Sequence, residues 1–168
     1  MPKRWKLDGS KILVVNSGSS SLKYEIYDMP AKESMGKGLV ERIGSDGSSL
    51  SQDGWNGSIR LSRSVADHKE ALGLMAEALV DEHNGILDSL DDVGGVGHRV
   101  VHGGEKYAES VIIDDDVVEA IDENSELAPL HNPANLAGIV EARRLLQNRT
   151  QVAVFDTAFH QALTPSAY

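Results

Sequence analysis

An α/β fold built on a mixed sheet is predicted by three observations. The run Ile12-Leu13-Val14-Val15 and the alternating Leu22, Tyr24 and Ile26 flank a polar turn, Asn16-Ser17-Gly18-Ser19-Ser20-Ser21, which reads as two strands of an antiparallel hairpin. Further on, segments of helical period alternate with short β-branched runs. Strands come first and helices then alternate with strands, so the sheet is expected to be antiparallel at its start and parallel later, with helices packed on its faces. At 168 residues and 40% hydrophobic content the chain can bury one core.

After the hairpin, Gly38 to Ile43 reads as a third strand closed by Gly44-Ser45-Asp46-Gly47. Ser45 to Gly57 is dominated by Ser, Gly, Asp and Asn and is expected to be a surface excursion. Ile59 and Leu61 alternate with polar neighbours and suggest a short strand. Asp67 with Glu70 makes a capping-box signature, followed by Leu72, Met75, Ala76 and Leu79 at helical spacing, with Gly85 as the terminator. Val93 to Gly104 carries many glycines for a strand, a sign of bulges or of close backbone approach. Val111-Ile112-Ile113 is another short strand. Asp114 to Asp116 put negative charge at the start of a helix bearing Val117, Val118 and Ile121, where the helix dipole favours it; a metal cluster is the lesser reading. Asn132 as N-cap and Pro133 at the first helical position start a helix with Leu136, Ile139, Val140 and Arg143 on one side. Gln151-Val152-Ala153-Val154-Phe155 is a buried strand that delivers Asp156 at its carboxyl end, where ligands gather in α/β sheets.

A formal charge of −10 argues against a nucleic-acid partner and disfavours an anionic membrane surface. The absence of cysteine excludes disulfides and thiolate metal sites. The basic opening, Met1 to Ser10, is followed by only four consecutive apolar residues, too few for a signal peptide, and no segment is long enough to span a bilayer. A cytoplasmic location is expected.

Several residues carry chemistry. The turn at Asn16–Ser21 is compatible with an ordinary hairpin turn and with an anion cradle, with Lys23 just inside the next strand; no Gly-Lys-Ser/Thr opens a helix, so it is not a Walker loop. Arg99 lies among glycines and valines, where its planar fork suits a carboxylate or phosphoryl group, or an ion pair with one of the many acids. Asp156 could hold Mg²⁺ or an acceptor group, or cap the next turn. The histidines at 98, 102, 131 and 160 have no zinc spacing. His131, before a helix start, is the best placed of them to meet an anion, and a structural role is open for the others.

Four segments then agree with one family. Val14-Val15-Asn16-Ser17-Gly18-Ser19-Ser20-Ser21-Leu22-Lys23 resembles the N-terminal signature of the acetate kinases and their propionate and butyrate kinase relatives. Gly97-His98-Arg99-Val100-Val101-His102-Gly103-Gly104-Glu105 is similar to the second signature in its acetate/propionate form. Leu127 to Asn135 and Ala153 to Gln161 match two further blocks in the same order.

The resemblance implies the ribonuclease H-like fold of actin, Hsp70 ATPase domains and sugar kinases, and the reversible conversion of ATP and acetate to ADP and acetyl phosphate with Mg²⁺ or Mn²⁺. Carried over by position, it makes Asn16 and Asp156 metal-site residues and Lys23 a contact to nucleotide phosphate. It makes Arg99 the ligand of the acetate carboxylate and of the transferring phosphoryl, and Asp156 the essential acid. His131 lies beside the phosphoryl path, and Val101 and Leu130 form the pocket for the acetate methyl. Ser17 stands where many members have Ala. The family also continues well beyond Tyr168. Residues 1–10 are therefore expected to be an extension and 11–168 an N-terminal domain, with the second, nucleotide-binding domain absent from this chain. Such a part is expected to be inactive alone, and the full-length enzyme to be a homodimer formed mainly through the missing domain. The alternatives are a propionate kinase and a non-catalytic binding or assembly module of the same fold.

Overall fold

The computed structural model describes residues 11–29, 31–104, 107, 109–126 and 128–156. The expected extension at 1–10, Glu105, Leu127 and the stretch 157–168 with His160 and Gln161 lie outside the described residues. Eight strands form one sheet: β1 (Lys11–Ser17), β2 (Ser21–Asp28), β3 (Glu33–Glu41), β4 (Ser49–Gly54), β5 (Gly57–Ser62), β6 (Val93–Val100), β7 (Val111–Ile112) and β8 (Thr150–Phe155). Their order is β5-β4-β3-β2-β1-β6-β8-β7. The first five make an antiparallel meander, β1–β6 and β6–β8 are parallel, and β7 runs antiparallel on the outer edge of β8. The expected change from antiparallel to parallel falls at β1.

Three helices, α1 (His68–Leu79), α2 (Asp115–Glu123) and α3 (Asn132–Leu145), pack on one face. Side chains alternate along a strand, so Leu13 and Val15 of β1, Leu22, Tyr24 and Ile26 of β2, and Val96 and Val100 of β6 are buried beneath them. Their intervening neighbours Val14, Lys23 and Arg99 are exposed on the opposite face. No helix among the described residues is long and apolar enough to cross a membrane.

Two strand regions differ from the sequence expectation. The third strand begins at Glu33 rather than Gly38, and the supposed surface excursion contains β4, with Leu50 and Gln52 fully buried. Both are set by tertiary fit rather than by propensity. A Cβ at Gly38 would run into the Tyr24 ring, so the glycine is what lets β3 lie against β2 there. Tyr24 Oη donates to Gln52 Oε1 (2.8 Å), and Gln52 Nε2 donates to the Ala78 carbonyl (2.8 Å), so this polar strand residue is satisfied inside the core.

At α1, Asp67 Oδ1 accepts the Glu70 N–H (2.9 Å), as its N-cap signature predicts, while Glu70 reaches back to Ala66 N (2.8 Å), one residue before the cap. The helix ends at Leu79, not at Gly85, which lies in a later turn whose N–H bonds the Asp81 carbonyl (2.9 Å). For α2 the dipole reading holds: Asp114 caps Val117 N (2.9 Å) and Asp115 pairs with Arg143 (2.9 Å). In α3 the N-cap is His131, one residue earlier than expected, and Val140 is 52% exposed. The buried side of α3 is instead Asn132, Asn135, Gly138, Ile139, Glu141 and Ala142.

Candidate functional site

The parallel strands β1, β6 and β8 all end on one edge of the sheet, where an open α/β sheet presents its ligand crevice. Asn16 lies at the end of β1 and pairs directly with Lys23 of β2. Val15 is level with His98, and Asn16 and Arg99 are the next residues along these two parallel strands. Arg99 in turn reaches Asp156, the residue after β8: Nε donates to Oδ1 (3.0 Å) and Nη2 to Oδ2 (2.7 Å). Lys23, Asn16, Arg99 and Asp156 thus form a row across four adjacent strands, on the face without helices.

The bidentate contact shows what the Arg99 fork can do, which is grip both oxygens of a planar carboxylate. The bond to Asp156 also pushes the pKa of the guanidinium up, keeping it charged. Its side chain is 51% exposed and that of Asp156 36%, so the pair adds little to stability, about 0–1 kcal/mol. Arg99 can therefore exchange this partner for another anion at small cost.

Behind the row stands α3. Asn135, 4% exposed, donates from Nδ2 to the Ser17 carbonyl (2.7 Å) and accepts the Val101 N–H on Oδ1 (3.1 Å). One side chain therefore ties the end of β1 to the chain leaving β6. Asn132, fully buried, accepts His102 N (3.3 Å) and donates to the carbonyls of His102 (3.0 Å) and Ile121 (3.3 Å). Gly138 makes the close approach possible, because a Cβ there would overlap Ser17 Oγ and lie 2.9 Å from Ser17 Cβ. That hydroxyl is buried without a partner among the described residues.

The remaining candidates are less tightly grouped. His131 is exposed at the start of α3 and makes no side-chain capping bond, next to the Asn132 clamp on His102. Val101 is half-buried, while Leu130 is 74% exposed, so the described residues do not enclose an apolar pocket around the two. On the helix-free face, Val14, Asn16, Lys23, Lys37, Leu39 and Asp53 line a depression of about 420 Å³.

His98 and His102 are bonded within the fold. His98 Nε2 donates to buried Gln151 Oε1 (2.8 Å), and burial, partly offset by that bond, pushes its pKa down to about 4. His102 Nδ1 accepts Gly104 N (2.9 Å). Asn135 and His68, the latter bonded to the Asn16–Ser21 turn, are site-forming residues that motif reading passed over. The available signals were two asparagines three apart in the first turn of a helix, either side of Pro133, and a histidine directly after a helix cap.

Among the described residues no group of three or more His, Asp or Glu side chains could hold a metal ion. The donor set on the row is one carboxylate, Asp156, and one amide oxygen, Asn16. Both are hard oxygen donors at the same sheet edge, and they suit a Mg²⁺ that keeps several waters and shares phosphate oxygens rather than one caged by protein.

A family model described as the acetokinase family matches residues 11–168. Acetate kinase of Clostridium botulinum (strain 657 / Type Ba4) is 53% identical over 158 residues, covering 94% of this chain and 40% of that protein. Among solved structures, Porphyromonas gingivalis acetate kinase matches with a TM-score of 0.86 at 42% identity, covering 94% of this chain and 40% of its own. A propionate kinase from Francisella tularensis matches with a TM-score of 0.83 at 35% identity, covering 94% and 39%. The chain spans about 40% of the length of the curated relatives it matches. Its sheet and helices have the actin-like, ribonuclease H-like fold of these kinases.

Proposed function

The chain belongs to the acetokinase family, and on that premise we propose that it forms the carboxylate-binding wall of an acyl kinase that reversibly transfers the ATP γ-phosphoryl to acetate. The observation that carries this reading is the bidentate grip of Arg99 on a carboxylate at the carboxyl edge of the sheet, in one row with Asn16 and Lys23. Transfer between two anions requires charge neutralisation and alignment more than covalent chemistry by the protein. Arg99 would hold the acetate carboxylate and lower the repulsion between it and the incoming phosphoryl group. Lys23 would neutralise nucleotide phosphate on the β2 side. His131 would line the phosphoryl path, and Val101 would contact the acetate methyl, with Leu130 joining it once a ligand or further chain covers its exposed side. Asp156 would leave the Arg99 fork as acetate arrives and, with Asn16, hold Mg²⁺; the ion supplies charge compensation between the phosphates.

The test exchanges the matched 158 residues of C. botulinum acetate kinase for residues 11–168 of this chain and measures acetyl phosphate as hydroxamate with acetate and MgATP. Turnover is expected, falling at least 100-fold in R99A. A folded chimera that makes no acetyl phosphate overturns the proposal. Propionate is the second reading, favoured by the close likeness to a propionate kinase, and kcat/KM for the two acids in the same assay decides between them.

A further inference from the structure

We propose that His68 is a positioning residue for the phosphate-side turn: it holds the Gly18 carbonyl from behind, so that the turn presents its N–H groups to an anion. The inference rests on reading Asn16–Ser21 as the phosphate side of the site.

Four carbonyls of the turn region are bonded within the protein. Asn135 Nδ2 donates to Ser17 O (2.7 Å) and His68 Nε2 to Gly18 O (2.7 Å). Ile43 N donates to Ser20 O (3.0 Å) and Gly18 N to Ser21 O (2.8 Å). Ser19 and Ser20 are exposed, and their N–H groups have no acceptor among the described residues. A peptide has its N–H and C=O on opposite sides, so a carbonyl fixed toward the protein fixes the next N–H outward. The peptide joining Gly18 to Ser19 is the one governed by His68, so the bond sets the Ser19 N–H, and with the unbonded Ser20 N–H beside it the turn offers two adjacent donors of the kind that line anion-binding concavities.

His68 suits this role by its own placement. It is the first residue of α1, half-buried, and its backbone is set by Asp67 capping Glu70 N and by Glu70 bonding Ala66 N. The same face of the helix is anchored in the core through Leu72, Met75 and Leu79, which follow His68 at helical spacing. A carbonyl can only accept, so the bond places the ring proton on Nε2. The ring therefore reaches the turn from an element that cannot follow it if it moves.

The experiment uses the 168-residue chain and inorganic tripolyphosphate as probe, with sodium sulfate at matched ionic strength as control, and reads backbone amide shifts by NMR. Saturable shifts of the Ser19 and Ser20 amides are expected in the wild type. His68→Phe keeps the ring and removes the donor, and should weaken tripolyphosphate about fivefold, the scale of one hydrogen bond. His68→Gln keeps an Nε2 donor and should restore binding to within about twofold of wild type. Wild-type affinity and unchanged Ser19 and Ser20 shifts in a folded His68→Phe overturn the role of His68 while leaving the turn as a phosphate site. A wild type whose Ser19 and Ser20 amides do not respond to tripolyphosphate overturns the phosphate reading and the proposal with it. The ring nitrogens of wild-type His68 give a check that needs no variant, since a proton found on Nδ1 rather than Nε2 also overturns the proposal.

Discussion

Asn135 does with one amide what would otherwise take two residues, holding the end of β1 and the exit of β6 together. Replacing it with Ala leaves a buried carbonyl and a partly buried N–H without partners, each worth about 1–3 kcal/mol. N135A should therefore lower the urea-unfolding free energy by roughly 2–4 kcal/mol. Ser17 predicts the opposite sign: its hydroxyl is buried without a partner, and S17A should be neutral or stabilise by up to about 1 kcal/mol in the same titration. His98 gives a pH dependence. Its folded pKa is held near 4, below the ordinary 6.5, so between those values the unfolded chain binds the proton and the folded chain does not. Stability is intact above pH 6.5 and falls as the pH drops toward 4, by about 2 kcal/mol between pH 7 and pH 5. Urea midpoints of wild type and H98Q at the two pH values check this, since H98Q should lack that part of the loss. At this scale the sequence singles out Arg99 and Asp156 as charged groups at strand ends, and of the two readings open for Arg99 the structure shows the ion pair, with Asp156 as its partner. Asn135 and His68 were not legible, because their partners lie 118 and 50 residues away and no local pattern encodes them.

Among the elements, those with a strong apolar period or a cap were readable: β1, β2, α1, α2 and β8. D67A should cost about 1 kcal/mol through loss of the α1 cap, measured as a shift in thermal midpoint. β4 and the first half of β3 were hidden because their residues are polar or glycine, and they become strands only through what lies against them. Gly38 is the clearest case: G38A adds a favourable side chain by propensity, yet it would collide with the Tyr24 ring. It should lower stability by about 1–3 kcal/mol, against the gain of a few tenths that strand propensity alone suggests. α3 was misjudged for the reverse reason. Its buried side is rich in polar and small residues because it must touch strand ends and backbone groups, so a search for an apolar stripe turned Val140 inward when it is exposed.

For the whole molecule, the hairpin followed by alternating helices and strands made an α/β mixed sheet legible, and four ordered motifs made the family legible. The strand order was not, since nothing local says that β6 lies between β1 and β8. The 168-residue chain alone should give no hydroxamate above background with acetate and MgATP, because it carries one wall of the proposed site and spans 40% of its relatives' length. The same strand order has a consequence for how the molecule is made. The meander β1–β5 closes through neighbours in sequence, whereas the row needs β1 to wait for β6 and β6 to wait for β8. Distant pairings pay more loop-closure entropy and form later. In pulse-labelled hydrogen exchange during refolding, amides of β2 and β3 should be protected before those of β8, so that the row of candidate site residues comes together only after the meander has formed. Protection of β8 ahead of the meander would contradict this order.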